Sequence, residues 1–317
     1  MRNNAMSIAV TPEQLQPVLR ALHLPDAVGL TPMTGGSSAV FRVDCVGGER
    51  LILKTYPDDR PWNPQKEAYA AGLVRDLGVP VTQYHLIDQT KARLPFRFAL
   101  TNYLPGVPAE DLKDDPEIAD VYRQMGALIR RLHAVKMAGF GRLGPEGVVR
   151  PVATNVEFMR AMIGETFDRF VHFGGDATMA EKLRWIMGAQ FDAVVPFSKG
   201  AVFAHDDVHP NNVLVVRDAD GRLRLSGLID FGNVRAADAV YDLAKCIFIS
   251  QHQAPACGAP MLEGYEAIDH PDPEGALAYY TLLHRVMMWW WLRHIGEITA
   301  DEPHDIIDRL RETAAAA

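Results

Sequence analysis

Hydrophobic and polar positions change their spacing near residue 105, and that change divides the chain. Before it, apolar residues come in short runs or near alternation. Ala39 to Val46 partly alternates, Gly47-Gly48 supplies a turn, and Leu51-Ile52-Leu53-Lys54 resumes an apolar run, the pattern of a β-hairpin. Positions 64–77 turn helical and Gly78 stops them, then Phe96 to Leu104 reads as extended until Pro105-Gly106 breaks it. After the break, Ile118, Val121, Met125, Leu128 and Leu132 step by three and four, the stripe of an amphipathic helix. Positions 154–170, 178–195, 237–249, 275–298 and 303–312 also read as helices. Among them Val213 to Val216 and Leu223 to Ile229 flank the polar turn 217–221, a hairpin inside a helical region. The pattern predicts an α+β chain in two lobes. A small strand-rich lobe with one main helix spans 1–105, and a larger, mostly helical lobe spans 106–317.

The polar residues around that second hairpin carry the chemistry. The segment Phe203-Ala-His205-Asp206-Asp207-Val-His209-Pro-Asn211-Asn212 leads into its first strand, and Leu228-Ile-Asp230-Phe231-Gly232 ends its second. A lone Asp or Asn beside a strand ordinarily caps a turn. A hairpin, however, brings its two ends together, so Asn212 and Asp230 converge. Two oxygen ligands at one spot suit Mg²⁺, which is usually held by one or two protein groups and by substrate phosphates. The Asp-x-x-x-x-Asn spacing followed by Asp-Phe-Gly matches the parts of a phosphoryl-transfer site, with Asp207 orienting or deprotonating a substrate hydroxyl. The first lobe holds the remaining parts in order. Gly35, Gly36, Ser37 and Ser38 form a turn whose N–H groups are placed to cradle phosphates. Lys54 closes an apolar run, and Glu67 on the following helix is placed to pair with it. Soon after Asp230 a helix begins, near Asp238, which leaves no room for a peptide-binding activation segment and points to a small-molecule acceptor.

Composition narrows the setting. The 317 residues are 48% hydrophobic and 23% charged, which excludes a disordered or fibrous chain. With 32 basic and 40 acidic side chains the net charge is -8, which disfavours nucleic acid and anionic membranes as partners and suits a cationic acceptor. Three scattered cysteines form no metal or disulfide pattern. The N-terminus lacks an apolar leader, and the apolar run Val286 to Leu292 is bounded by Arg285 and Arg293, so a cytoplasmic protein is expected.

The sequence resembles the aminoglycoside phosphotransferase and choline kinase-like family, which has a protein-kinase-like fold. The resemblance rests on His205-x-Asp207-x-His209-Pro-x-Asn212, Ile229-Asp230-Phe231-Gly232, Tyr241-Asp242-Leu-Ala, the link Asn102-Tyr-Leu-Pro-Gly106, and Gly126 to His133. The segment 139–147 adds a short, glycine-rich similarity to hygromycin phosphotransferases. The resemblance implies a Mg²⁺-dependent kinase, monomer or homodimer, that uses ATP or GTP on a hydroxyl of an aminoglycoside-like or amino-alcohol acceptor. It makes Asp207 the base, Asn212 and Asp230 the magnesium ligands, and the backbone of Asn102 and Leu104 the adenine contacts. His205 and Asp242 are expected to be structural, bracing the catalytic loop by hydrogen bonds, and His209 is expected to be structural too. Asp206 and Asn211 stand where relatives commonly have glycine, and the phosphate loop lacks a third glycine. Seven acidic residues are placed to line the acceptor cleft: Asp206, Asp238, Glu263, Glu266, Asp269, Asp272 and Glu274. Of Trp289 to Trp291, helical geometry sends one or two to the core, since neighbours point about 100° apart. Two other readings stay open at this point: a silent nucleotide-binding protein, and a hydrolase using the Asp/His-rich loop for a metal.

Overall fold

The computed structural model describes residues 10–33, 38–58, 63–78, 80–299 and 304–316. In chain order the elements are α1 (Pro12–Ala21), β1 (Ala27–Met33), β2 (Val40–Cys45), β3 (Arg50–Tyr56), α2 (Pro64–Val74), β4 (Tyr84–Asp88), β5 (Arg97–Asn102), β6 (Val107–Pro108), α3 (Ile118–Ala134), β7 (Gly141–Arg142), α4 (Asn155–His172), α5 (Ala177–Val194), β8 (Val202–Ala204), β9 (Val213–Arg217), β10 (Leu223–Leu228), β11 (Arg235–Ala237), α6 (Ala239–Gln253), α7 (Gly258–Tyr265), α8 (Pro273–Ile295) and α9 (Asp305–Ala315).

The first five strands form one antiparallel sheet in the order β1-β2-β3-β5-β4. Alternation on β2 and β3 sends Val43, Leu51 and Leu53 to one face, where they meet Phe98, Leu100 and the Leu15–Val18–Leu19 face of α1. The other helix of this lobe, α2, packs differently. Its Ala70, Ala71 and Val74 join a core shared with α3 and with Phe231 beyond β10, so α2 ties the sheet lobe to the helical lobe.

In the helical lobe, the apolar stripe of α3 buries Val121, Met125, Leu128 and Leu132. Helix α7 crosses α3 at two glycines. A Cβ on Gly126 would lie 2.0 Å from the Met261 carbonyl oxygen, and one on Gly264 would lie 1.9 Å from that of Arg123. The backbones are therefore in contact, and any side chain at either position would force the helices apart. A second core joins α4, α5, α6, α8 and α9. Trp289 and Trp290 of α8 are buried in it, whereas Trp291 is exposed. Three short strands in the order β7-β11-β8, and the hairpin β9–β10 with β6 beside it, carry the functional loops. Among the described residues no helix is long and apolar enough to cross a membrane.

Candidate active site

The hairpin β9–β10 does what its pattern implies. Leu228 pairs with Val213, and the Ile229 N–H donates to the Asn212 carbonyl at 3.0 Å, so the two loops meet at its open end. Asp230 follows, with φ +63°, a left-handed conformation that an aspartate adopts at a cost of about 1–2 kcal/mol. Its side chain lies deep between the lobes yet is half open, and Lys54 Nζ stands 3.7 Å from it. Burial works against its charge, but Lys54, His205 and the Gly232 N–H together hold its carboxyl below the usual carboxylate range.

Lys54 reaches this point from β3, and Glu67 of α2 accepts its ammonium at 2.9 Å. Two phenols missed in the sequence complete the arrangement. Tyr56 and Tyr84 donate to the same Glu67 oxygen at 3.1 and 3.2 Å, and burial followed by the Glu67 charge pushes both phenols far up, so both stay protonated donors. Burial alone would lower the Lys54 pKa, but Glu67 and Asp230 outweigh it and raise it. The ammonium is thus a fixed cation facing Asp230.

Asp207 lies on the loop between β8 and β9. Its Oδ2 accepts from the Asn233 amide at 3.0 Å and from Asn212 at 3.4 Å, while Oδ1 makes no hydrogen bond among the described residues and lies 3.9 Å from His209 Nε2. Asn233, one residue past Asp-Phe-Gly, is a contact the sequence reading did not identify. The Asn212 amide nitrogen also donates to the Asp207 carbonyl at 3.0 Å and to His209 Nε2 at 3.1 Å, and His209 Nδ1 then donates to Gln253 at 3.2 Å. With the nitrogen so engaged, the network assigns the Asn212 amide oxygen as the free group, a fit to a hard cation shared with phosphates.

Beneath the loop, the buried Asp242 carboxylate accepts the His205 N–H at 3.1 Å and the Asp206 N–H at 2.8 Å, and the His133 ring lies 2.9 Å from its other side. Burial opposes the charge here too, but His133 and the loop amides keep Asp242 low in pKa and ionised. His205 differs from expectation. Its ring makes no hydrogen bond among the described residues, lies fully buried against Phe231 at 4.9 Å, and is kept neutral by desolvation. It braces the loop by packing rather than by bonding.

The nucleotide side is partly placed. Ser38 lies in a bend before β2, while Gly35, Gly36 and Ser37 lie outside the described residues. The Asn102 N–H bonds the Gln83 carbonyl at 3.0 Å, and its own carbonyl accepts from the Thr101 hydroxyl at 3.3 Å. The Leu104 N–H has no partner among the described residues.

Six of the seven acidic residues expected at the acceptor cleft have partners within the protein. Asp206 is fully buried, its backbone left-handed at φ +61°, and its carboxylate is held by Arg235 at 2.6 Å and Lys245 at 3.1 Å. Asp238 and Asp272 cap α6 and α8. Glu263, Glu266 and Asp269 pair with Arg123, Arg130 and Lys199. Side-chain direction, which sequence does not carry, sends these six carboxylates to other partners.

Known proteins share this fold. Superposition on a thermostable mutant of the aminoglycoside phosphotransferase APH(4)-Ia, in a ternary complex with ADP and hygromycin B, gives a TM-score of 0.70 at 19% identity, over 94% of this chain and 95% of that one. A choline kinase from Streptococcus pneumoniae gives 0.62 at 16% identity, over 96% and 99%. In sequence, an aminoglycoside 3'-phosphotransferase of Streptomyces ribosidificus is 28% identical over 215 residues, 65% of this chain and 73% of that enzyme. Residues 29–279 match the phosphotransferase enzyme family. Carrying that match across both lobes, the chain belongs to the phosphotransferase enzyme family and is a phosphotransferase acting on hydroxyl groups, with the bilobal α+β fold that its aminoglycoside and choline relatives share.

Proposed function

We propose that the chain moves the γ-phosphoryl group of ATP or GTP onto a hydroxyl of a small-molecule acceptor, with Asp207 as the base. The observation that supports this most is the meeting of Lys54–Glu67, Asp230, Asn212 and Asp207 at the ends of one hairpin. Each group then has a task. Lys54 neutralises donor phosphates, held in place by Glu67. The Asn102 carbonyl and Leu104 N–H would contact the purine ring of the nucleotide. Asn212 and Asp230 would hold Mg²⁺, which when bound neutralises charge on the β- and γ-phosphate oxygens. Asp207 Oδ1 takes the acceptor proton as the acceptor oxygen bonds to phosphorus. The bridging P–O bond breaks, and the nucleoside diphosphate leaves with the electron pair. Asn233 holds the other oxygen of Asp207 so that Oδ1 faces the hydroxyl.

The acceptor class rests on the relatives. Complexes of one neighbour contain hygromycin B and another neighbour is a choline kinase, so hydroxylated amines are the first acceptors to try. The three cysteines are free and buried, as suits the cytoplasm, where nucleoside triphosphates are supplied. The test is release of ADP from Mg·ATP, or of GDP from Mg·GTP, against aminoglycosides, choline, ethanolamine and homoserine. Asp207→Ala is expected to lower turnover about 10²- to 10⁴-fold while nucleotide binding persists. Full turnover in that variant would remove Asp207 from the role of base.

A further inference from the structure

The acceptor side of the cleft carries an excess of positive charge. Arg142 on β7 and Arg235 on β11 are direct cross-strand partners, a placement in which like charges repel. Lys66, from the first turn of α2, points into the same region and donates to the Gly232 carbonyl at 2.7 Å. It has no carboxylate partner among the described residues. Burial and then Arg235 push its pKa down, with Arg142 adding to the effect and Asp206 and Glu67 opposing it. Lys245 completes the group through its contact with Asp206. Two carboxylates stand at ion-pair distance from these four cations, Asp206 between Arg235 and Lys245, and Glu165 beside Arg142 and shared with Arg169, while Glu67 acts on Lys66 and Asp242 on Arg235 from farther away.

The position of this cluster is what gives it meaning. Asp206 precedes the proposed base, Gly232 lies two residues past Asp230, and Asn233, two residues before Arg235, holds Asp207. A stretch that places like charges side by side, partly desolvated and short of counterions, is stabilised by an arriving anion. The donor phosphates already have their own cation in Lys54. Arg142 is 74% exposed and so open to a ligand.

We propose that Lys66, Arg142 and Arg235 form a subsite for an anionic group of the acceptor, a carboxylate or a phosphate ester, so that the substrate is a hydroxylated acid or zwitterion rather than a polycation. This rests on the phosphotransferase reading above, and it narrows the amino-alcohol class to members that also carry an acid.

Lys66 and Arg142 are the residues to change, because removing Arg235 would strand the buried Asp206. The panel uses pairs that share a hydroxyl and differ in the anion: ethanolamine with L-serine, 3-aminopropanol with L-homoserine, and glycerol with D-glycerate and with glycerol 3-phosphate. The last two separate a carboxylate from a phosphate ester. The anionic member of at least one pair is expected to show kcat/KM tenfold or more above its neutral partner. Arg142→Ala should raise its KM about 10- to 100-fold, the range for losing a charge-assisted hydrogen bond, with kcat changed less than twofold and the KM for ATP unchanged. In parallel, calorimetric titration with inorganic phosphate should show binding that falls at least tenfold in the Lys66→Met, Arg142→Ala double variant and persists in Lys54→Met. Equal phosphate binding in wild type and double variant overturns the subsite. So does a preferred polyamine acceptor whose KM the double variant leaves alone, or an effect of Arg142→Ala on the KM for ATP instead. Failure of the phosphotransferase reading looks different: Asp207→Ala would then leave turnover intact whatever the phosphate titration shows.

Discussion

The two sides of the cleft treat charge in opposite ways. On the nucleotide side, Lys54 meets Glu67 and Asp230, and the Glu67 carboxylate is finished by Tyr56 and Tyr84. On the acceptor side, Arg142 and Arg235 stand across from one another with Lys66 near, and Asp206 and a shared Glu165 answer them. A nucleoside triphosphate brings magnesium to offset its own charge, so its binding surface can be balanced before it arrives. An acceptor with an acid group brings no cation, so its surface holds the surplus. The difference separates groups that preorganise chemistry from groups that select a substrate.

Asp206 is where the comparison can be broken most severely. Asp206→Gly would relieve a left-handed aspartate, a gain of about 1–2 kcal/mol. It would also leave Arg235 and Lys245 facing each other in the interior without a counterion, which costs about 3–5 kcal/mol. The second effect is larger. Chemical denaturation should therefore show a net loss of about 1–4 kcal/mol. A neutral or stabilised variant would mean that Asp206 is not needed to neutralise the pair.

On the nucleotide side the comparison is sharpened with Glu67→Gln, which keeps the shape and removes the charge. Lys54 would keep only the half-open Asp230, while Tyr56 and Tyr84 would still have an oxygen to donate to. Losing one charge-assisted bond, worth about 1.5–3 kcal/mol, predicts a rise of at least about tenfold in the KM for ATP. The acceptor KM should stay put. A change in acceptor KM alone would show that the two sides are not separate.

Sequence carried the organisation of the cleft further than its polarity. The step of three and four through Val121, Met125 and Leu128 placed α3, and the turn 217–221 placed the hairpin that joins Asn212 to Asp230. Both are local patterns, and local patterns survive in one dimension. Helix α1 also had its signal, unread: Thr11 and Gln14 form a capping box, with Pro12 in the first turn. Helix α7 had none beyond its glycines, because Gly264 matters only against Gly126 of a distant helix. The direction of Asp206 was illegible for a related reason. Its left-handed backbone is set by the loop, whose N–H groups Asp242 gathers, and its partners Arg235 and Lys245 come from two later elements. Counting acids along the chain could not separate a cleft wall from an internal counterion.

The smallest expected effect is a pH dependence, and its sign is diagnostic. Burial, Arg235 and Arg142 lower the Lys66 pKa from 10.5 to about 8. Below pH 8 the ammonium is charged and available to an anion. As pH rises through 8 the folded chain sheds that proton, while the unfolded chain keeps it until about 10.5. Anion binding, which favours the charged lysine, must then weaken, and the phosphate Kd should rise about tenfold between pH 8 and 9.5. Stability moves the other way. The unfolded state holds the extra proton in this window, so the contribution of Lys66 to stability increases with pH. Weaker binding accompanied by unchanged or higher stability therefore points to Lys66 and not to unfolding. Lys66→Met should bind phosphate weakly at every pH with no slope across the window. A slope that persists in this variant would assign the titration to another group and leave Lys66 as a clamp on the Gly232 carbonyl alone.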